Sequence, residues 1–194
     1  MGEPLDRRSA ILQQAADLFA SKGIVATTVR EIADGVGMLS GSLYHHFKSK
    51  DEMVHAIITS YLDDLSSRYA AIVEEQSDPR TQLAELVRGS LAVIEAHPHA
   101  TEIYQNSAGY LAKREGYAHI KDSANAIQKT WINVLEAGVA SGEFRSDIPP
   151  RVLYRLIRDA LWLSVRWFQP TEEYSMKRFA DDFVSVFLEG LLPR

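Results

Sequence analysis

Two clusters of side chains in this 194-residue chain have the types and spacing to do chemistry. The first lies between Thr28 and Lys50. In Leu39-Ser40-Gly41-Ser42-Leu43-Tyr44-His45-His46-Phe47, the two apolar residues four apart, Leu43 and Phe47, can face inward on a helix. Ser40, Gly41, Ser42, Tyr44 and His45 then stay outside. A glycine and two serines at a helix start let backbone approach a partner closely, and their hydroxyls can donate or accept toward base edges or phosphate. Lys48 and Lys50 flank the start of the next helix, whose amide end also favours phosphate. The second cluster is Arg151, Arg155, Arg158, Trp162 and Arg166, spaced by three or four residues and therefore on one helical stripe. Guanidinium forks suit phosphate or carboxylate, and an indole face suits a flat ring. The stripe fits either a salt-bridge network with Asp181, Asp182 and Glu189 on the last helix or the mouth of a pocket for an anionic ligand with a bulky apolar part.

Other chemistries find little footing. Cysteine is absent, which removes disulfides, thiolate catalysis and cysteine-bound metals, and fits a reducing cytoplasm. Adjacent His45 and His46 point about 100° apart on a helix. Pro98 interrupts any metal-binding face in His97-Pro98-His99. No metal site is expected. No Gly-rich phosphate loop, nucleophile elbow or H-E-x-x-H helix is found, so neither an enzyme nor a cofactor is expected. The longest apolar runs, such as 160–165, fall far short of the ~20 residues that cross a bilayer, so no membrane partner is expected. The N-terminal segment lacks the pattern of a signal peptide. The net charge of −5 is uneven: residues 1–50 carry six Lys/Arg against five Asp/Glu, and the remainder fifteen against twenty-one. A slightly basic head on an acidic body suits a molecule that meets nucleic acid at one end only.

Stepping along the chain, apolar residues recur every three or four positions and strand signals are scarce, so the fold is all-α. Ile11, Ala15, Leu18 and Phe19 mark a first helix, which Gly23 ends. Thr28 and Glu31 have capping-box spacing and open a second helix that stops near Gly35-Val36-Gly37. A short third helix runs from Leu39 or Ser40 to His46. Ser49 and Glu52 open a fourth helix that reaches about Glu75. Asp78-Pro79 starts a fifth, ended by His97-Pro98. A sixth is expected over Ala100–Arg114, a seventh over Tyr117–Ala140, an eighth over Arg151–Phe168 and a ninth over Tyr174–Leu192. Nine helices result. Two short helices joined by a Gly-containing turn, after a longer amphipathic helix, make a helix-turn-helix. The second short helix is thin and polar at the end that would enter a major groove.

In this region the sequence resembles the TetR family of repressors. The resemblance rests on Thr27-Thr28-Val-Arg-Glu-Ile-Ala, Val36-Gly37 and Gly41-Ser42-Leu43-Tyr44-His45-His46-Phe47-Lys-Ser-Lys50-Asp-Glu-Met. It implies a head over residues 1–48 and a ligand-binding and dimerisation domain over 49–194. It also implies a homodimer on a palindromic double-stranded DNA operator, released by a small molecule. On that likeness Thr28, Tyr44 and Lys50 hold phosphates, while Ser40, Gly41, Ser42 and His45 lie nearest the bases. Arg7 and Arg8 read equally as a minor-groove arm or as a solvated helix start.

The body holds all three tryptophans. The stretch from Tyr154 to Trp167 and the segment Ile103-Tyr104-Gln105 are similar to actinobacterial repressors of steroid and fatty-acid catabolism that sense acyl-CoA intermediates. That similarity makes Arg158, Trp162 and Arg166 an entrance for an acyl-CoA effector, with Tyr104 and Trp131 among the lining. The alternatives are a regulator of the same type that senses an uncharged or cationic hydrophobic compound, as in efflux control, and a helical interaction module that binds no DNA. Apolar residues on the last two helices, among them Leu153, Leu156, Leu161, Val165 and Val186, exceed what one small bundle needs and suit a two-fold interface. Such a dimer sets its heads about 34–36 Å apart, one turn of DNA or a multiple. A ligand-driven shift of the fourth helix, which begins beside the head, would misalign them.

Overall fold

In a computed structural model that describes residues 6–76, 78–111 and 117–191, helices α1, α2 and α5 each begin at a capping side chain. Helix α1 spans Arg7–Lys22, capped by the Asp6 carboxylate on Ser9 N–H. Helix α2 is Val29–Gly35, α3 is Ser40–Leu43 and α4 is Lys50–Glu75. Helix α5 is Pro79–Ala96, with Asp78 as cap and proline in the first turn, where a missing N–H costs nothing. Helices α6 (Pro98–Asn106) and α7 (Ala108–Leu111) follow, then α8 (Ala118–Ala140), α9 (Pro150–Leu163) and α10 (Met176–Leu191). No strand occurs among the described residues.

The nine expected helices are all present, with one difference. The sixth is broken at Ser107, giving α6 and the single turn α7, rather than weakened at Gly109. Its expected end at Arg114 lies outside the described residues, as does the end of the last helix at Leu192. The eighth expected helix, α9 here, ends at Leu163 and tightens into a 3₁₀ turn over Ser164–Arg166.

Contacts divide the chain into two units, Met1–Tyr61 with His99–Ala118, and Leu62–Pro98 with His119–Arg194. In the first, Ile11, Ala15 and Phe19 of α1 are buried along with Ile32, Leu43 and Phe47, and α2 packs against both α1 and α3 in the three-helix head. The turn between α2 and α3 passes through Gly37 at φ 65°, a conformation that costs a side-chain-bearing residue about 1–2 kcal/mol. The turn closes with Met38 N–H donating to the Ala33 carbonyl at 2.9 Å. In the second unit α10 packs along α5, and Arg88 clamps the pair by meeting Glu85 at 2.7 Å and Asp181 at 2.9 Å. Phe168, Phe179, Phe183 and Phe187 stack in a row along α10, with two stacked contacts at 4.2 and 4.5 Å. At the end of α8, Phe144 lies against Gly138, whose added Cβ would meet that ring at 2.1 Å.

Candidate nucleic-acid interface and effector face

The capping box of α2 forms as its spacing predicts. Thr28 Oγ1 accepts from Glu31 N–H at 3.2 Å, and Glu31 Oε2 accepts from Thr28 N–H at 2.8 Å. Lys22 completes the group by pairing with the other carboxylate oxygen of Glu31. The Lys22 ammonium, followed by the Thr28 donors, holds the Glu31 carboxyl down to about 2. Thr28 Oγ1 also donates to Glu31 Oε2 at 2.9 Å, so its single proton is already given away.

Lys50, the first residue of α4, turns toward the protein. Its Nζ donates to the carbonyls of Thr27 at 2.8 Å and Val25 at 3.3 Å, on the loop that leads into α2. Two of its three protons are thereby used in holding that loop. Asp51, the next residue, accepts from Tyr110 Oη on α7. His99, at the start of α6, meets Asp17 of α1 at 2.8 Å. Ser49 caps α4 on Glu52 N–H at 3.1 Å, but the Glu52 carboxylate reaches back to Lys48 N–H at 2.7 Å, one residue before the box would have it.

The recognition segment is arranged as its spacing demands. Leu43 and Phe47 are buried, while Gly41 and His45 are exposed, Ser40 and Ser42 are half-buried and Tyr44 is 53% exposed. A Cβ added at Gly41 would meet nothing within 4 Å. Arg8 does not extend as an arm: its guanidinium lies 4.6 Å over the Phe47 ring. Leu39 was missed. It stands 80% exposed just before α3, where an apolar side chain can meet a thymine methyl. The sequence carried no signal for it, since Leu39 lies in the same four-residue register as the buried Leu43 and Phe47.

The arginine and tryptophan residues of α9 divide between two environments. Trp162 is buried, Arg158 half-buried, and Arg151, Arg155 and Arg166 exposed. Arg158 pairs with its chain neighbour Asp159 at 2.7 Å, and its guanidinium stands 5.7 Å over the Tyr154 ring. The network with the last helix is not what forms at Arg158. Asp181 meets Arg88, and Asp182 accepts from Tyr174 Oη at 2.6 Å. Among the apolar residues assigned to a dimer face, Leu153 and Leu161 are instead buried inside the fold. The exposed stripe is Val152, Leu156, Leu163 and Trp167, with Leu156 56% and Trp167 64% exposed, and Val186 stands out on α10.

Trp131 is fully buried on α8, edge-on to Tyr69 at 5.8 Å and 6.3 Å from Tyr154. Tyr104 belongs to the first unit, tilted against Tyr61 at 6.0 Å, whereas Trp131, Arg158, Trp162 and Arg166 belong to the second. A solvent-open cavity of about 380 Å³ in the second unit is lined by Tyr69, Val73, Glu74, Gln82, Thr130 and Asn133. No cluster of three or more metal-ligating side chains occurs among the described residues, and no described helix is long and apolar enough to cross a membrane.

Comparison with known proteins now adds what geometry does not. The pattern of bacterial regulatory proteins of the tetR family matches residues 11–57, and that of the tetracyclin repressor-like C-terminal domain matches 76–191. The chain belongs to the tetR family. It is a DNA-binding transcriptional regulator and not an enzyme. Repressors of this family bind DNA operators as dimers and respond to small-molecule effectors. Among its relatives, the HTH-type transcriptional repressor KstR2 of Rhodococcus jostii (strain RHA1) is 43% identical, covering 95% of this chain and 91% of that protein. KstR2 of Mycobacterium tuberculosis (strain ATCC 25618 / H37Rv) is 40% identical, covering 98% and 95%. The structure of the ketosteroid transcriptional regulator KstR2 of M. tuberculosis superposes with a TM-score of 0.93, covering 100% of this chain and 98% of that one.

Proposed function

We propose that this chain is a cytoplasmic repressor that binds a palindromic operator as a homodimer and leaves it when an acyl-CoA thioester from lipid or steroid breakdown binds the body. Residues 1–48 read the DNA and 49–194 sense and dimerise. The observation that carries the effector class is the Arg158–Tyr154–Trp131 succession. It runs from a half-buried cation paired with Asp159 on its own helix, over a buried phenol ring, to a buried indole. A phosphate-bearing molecule with a bulky apolar end matches that order of chemistries. The name of the similar M. tuberculosis protein, a ketosteroid transcriptional regulator, agrees with it.

On the DNA side, Ser40, Gly41, Ser42 and His45 face bases, while Tyr44 and the third proton of Lys50 hold phosphate. Thr28 reaches phosphate only by giving up its bond to Glu31. The exposed stripe of α9, with Val186 of α10, forms the two-fold contact. Helix α4 begins at Lys50, whose ammonium grips the loop into α2. An effector that displaces α4 therefore drags that loop, provided it binds the displaced state more tightly.

The test is a mobility shift on the DNA upstream of the chain's own gene, titrated with acyl-CoA esters. Release by some esters but not by free coenzyme A, reduced about tenfold in Arg158→Ala, supports the reading. A second reading has its own observation. The cavity beside Glu74, Thr130 and Asn133 offers a carboxylate and amides rather than cations, as an uncharged or cationic effector requires. Release by such compounds alone would favour it.

A further inference from the structure

In the head, α1 and α2 each start under a capping side chain, and α3 does not. Asp6 and Thr28 accept from the backbone N–H groups of Ser9 and Glu31. The corresponding residue of α3 is Leu39, whose side chain makes no cap bond. Its backbone is extended, at φ −73° and ψ 140°, the conformation in which serine, threonine, aspartate or asparagine would close that end. Leu39 serves the fold through its carbonyl, which accepts from Ser42 N–H at 2.9 Å and Leu43 N–H at 3.3 Å and which any residue would supply. The side chain is 80% exposed, although it lies one turn before the buried Leu43. One position thus forgoes a cap and holds an apolar group in water. Two local preferences broken together at the tip of a helix point to a task outside the fold.

Resting on the reading that sets α3 against the bases, we propose that Leu39 selects a thymine in each operator half-site by packing on its C5 methyl group. A leucine side chain has no donor or acceptor, so it takes no part in hydrogen-bond readout. The major-groove edges of the base pairs offer one apolar group, the thymine methyl. Ser40, Gly41 and Ser42 follow Leu39, so the leucine is a single apolar point in its segment and not part of the broad patch that marks a protein partner. Gly41, two residues on, has no side chain to hold the helix start away from the base edges, and a Cβ there would meet nothing within 4 Å. Cytosine in the same place would present a bare C5–H and an amino donor that leucine leaves unpaired. A site of that kind rejects the partner whose polar group it cannot satisfy. In a dimer on a palindrome the contact is made twice.

The probe is the duplex that the full-length protein protects in the DNA upstream of its own gene, or one selected from random duplexes should it protect none there. It is synthesised with deoxyuridine in place of each thymine in turn, which removes the C5 methyl and keeps the pairing. One symmetry-related pair of positions is expected to respond, with binding weakened by about fourfold per methyl, the worth of burying one such group. Leu39→Ala should weaken binding to the thymine duplex by at least that factor and make thymine and deoxyuridine equal. Leu39→Ser, which supplies a cap, should melt no lower than the parent and lose the discrimination all the same, so that the effect on DNA is not a weakened fold. A deoxyuridine response that persists undiminished in Leu39→Ala overturns the proposal. Indifference to deoxyuridine at every position overturns it too, and affinity lost in Leu39→Ala would then set the leucine against a sugar. If Leu39→Ala changes nothing while Ser42→Ala and His45→Ala weaken binding, the proposal fails and the reading of α3 stands. If all three bind as the parent does, that reading falls with it.

Discussion

The reading head and helix α9 both carry cations and aromatics at helical spacing, yet the two use them in opposite directions. In the head, the polar groups turn inward: Lys50 onto two carbonyls, Lys22 onto Glu31, Thr28 into its own cap, Arg8 onto Phe47. What remains outside around α3 is uncharged at the helix start: Leu39, Gly41 and Tyr44, with His45 beyond. On α9, Arg158 pairs with Asp159 and stands over Tyr154 of its own helix, and Leu156 and, just beyond the helix, Trp167 are more than half exposed. The difference teaches how to tell a shaped surface from a receptive one. Charges anchored by main-chain partners fix where a surface stands, while charges with only a local, half-exposed partner can be taken over by something that binds.

The sharpest way to break this contrast is to remove the support beneath the head. Phe47→Ala should cost about 3–5 kcal/mol of stability, as large-to-small changes in a packed core do, and abolish operator binding. Denaturant melts should show the loss. An unchanged melt would mean that Phe47 does not anchor the head. Next in size is Leu156→Glu, which puts a charge into the exposed α9 stripe. The dimer should weaken on the order of a hundredfold, the loss expected from truncating or charging an interface anchor, with the fold kept. Sedimentation at falling concentration measures this, and a persistent dimer would move the interface off α9.

Lys50 distinguishes anchoring from charge. Lys50→Met and Lys50→Arg should both weaken operator binding by about tenfold if gripping the Thr27 carbonyl is what matters. Recovery of affinity in the arginine variant would instead make the ammonium a plain phosphate contact. Its operator affinity, read as a function of salt, separates the two, because a lost phosphate contact also flattens the salt slope by about one. The smallest effect concerns Glu31. Its folded carboxyl is depressed from 4.5 to about 2, so the stabilisation is complete above the unfolded value and disappears as pH falls toward 2. Head stability measured by hydrogen exchange in α2 should therefore decline between those values in the parent. Glu31→Gln should be flat there and lower at neutral pH. A parent profile without that decline would show that the Lys22–Glu31–Thr28 group contributes nothing to the head.

Much of this was legible in the sequence because the relevant forces are local. Thr28, Ser49 and Asp78 each serve a backbone amide within a few residues, so cap residues and turn glycines locate helix ends unaided. Leu43 and Phe47 were readable for the same reason, since one helix turn decides their common face. The contacts of Lys50 with Thr27 and of Tyr110 with Asp51 were not readable, because they join residues 23 and 59 positions apart. Helix α9 shows the other limit. Periodicity groups Trp162 with the arginines and sets Leu153 and Leu161 apart, but it cannot say which face the chain itself covers. Tertiary packing buries Trp162 together with Leu153 and leaves Leu156 outside. The break at Ser107 escaped notice because Gly109 offered a more obvious weak point nearby.

The open space around Gly41 has a meaning for descent as well as for binding. A Cβ added there meets nothing within 4 Å, so alanine fits at that position without displacing a neighbour. On the proposed placement of Gly41 at the bases, one changed letter at the tip of the recognition helix would alter the operator. The body, and whatever it responds to, passes unaltered to a different set of genes.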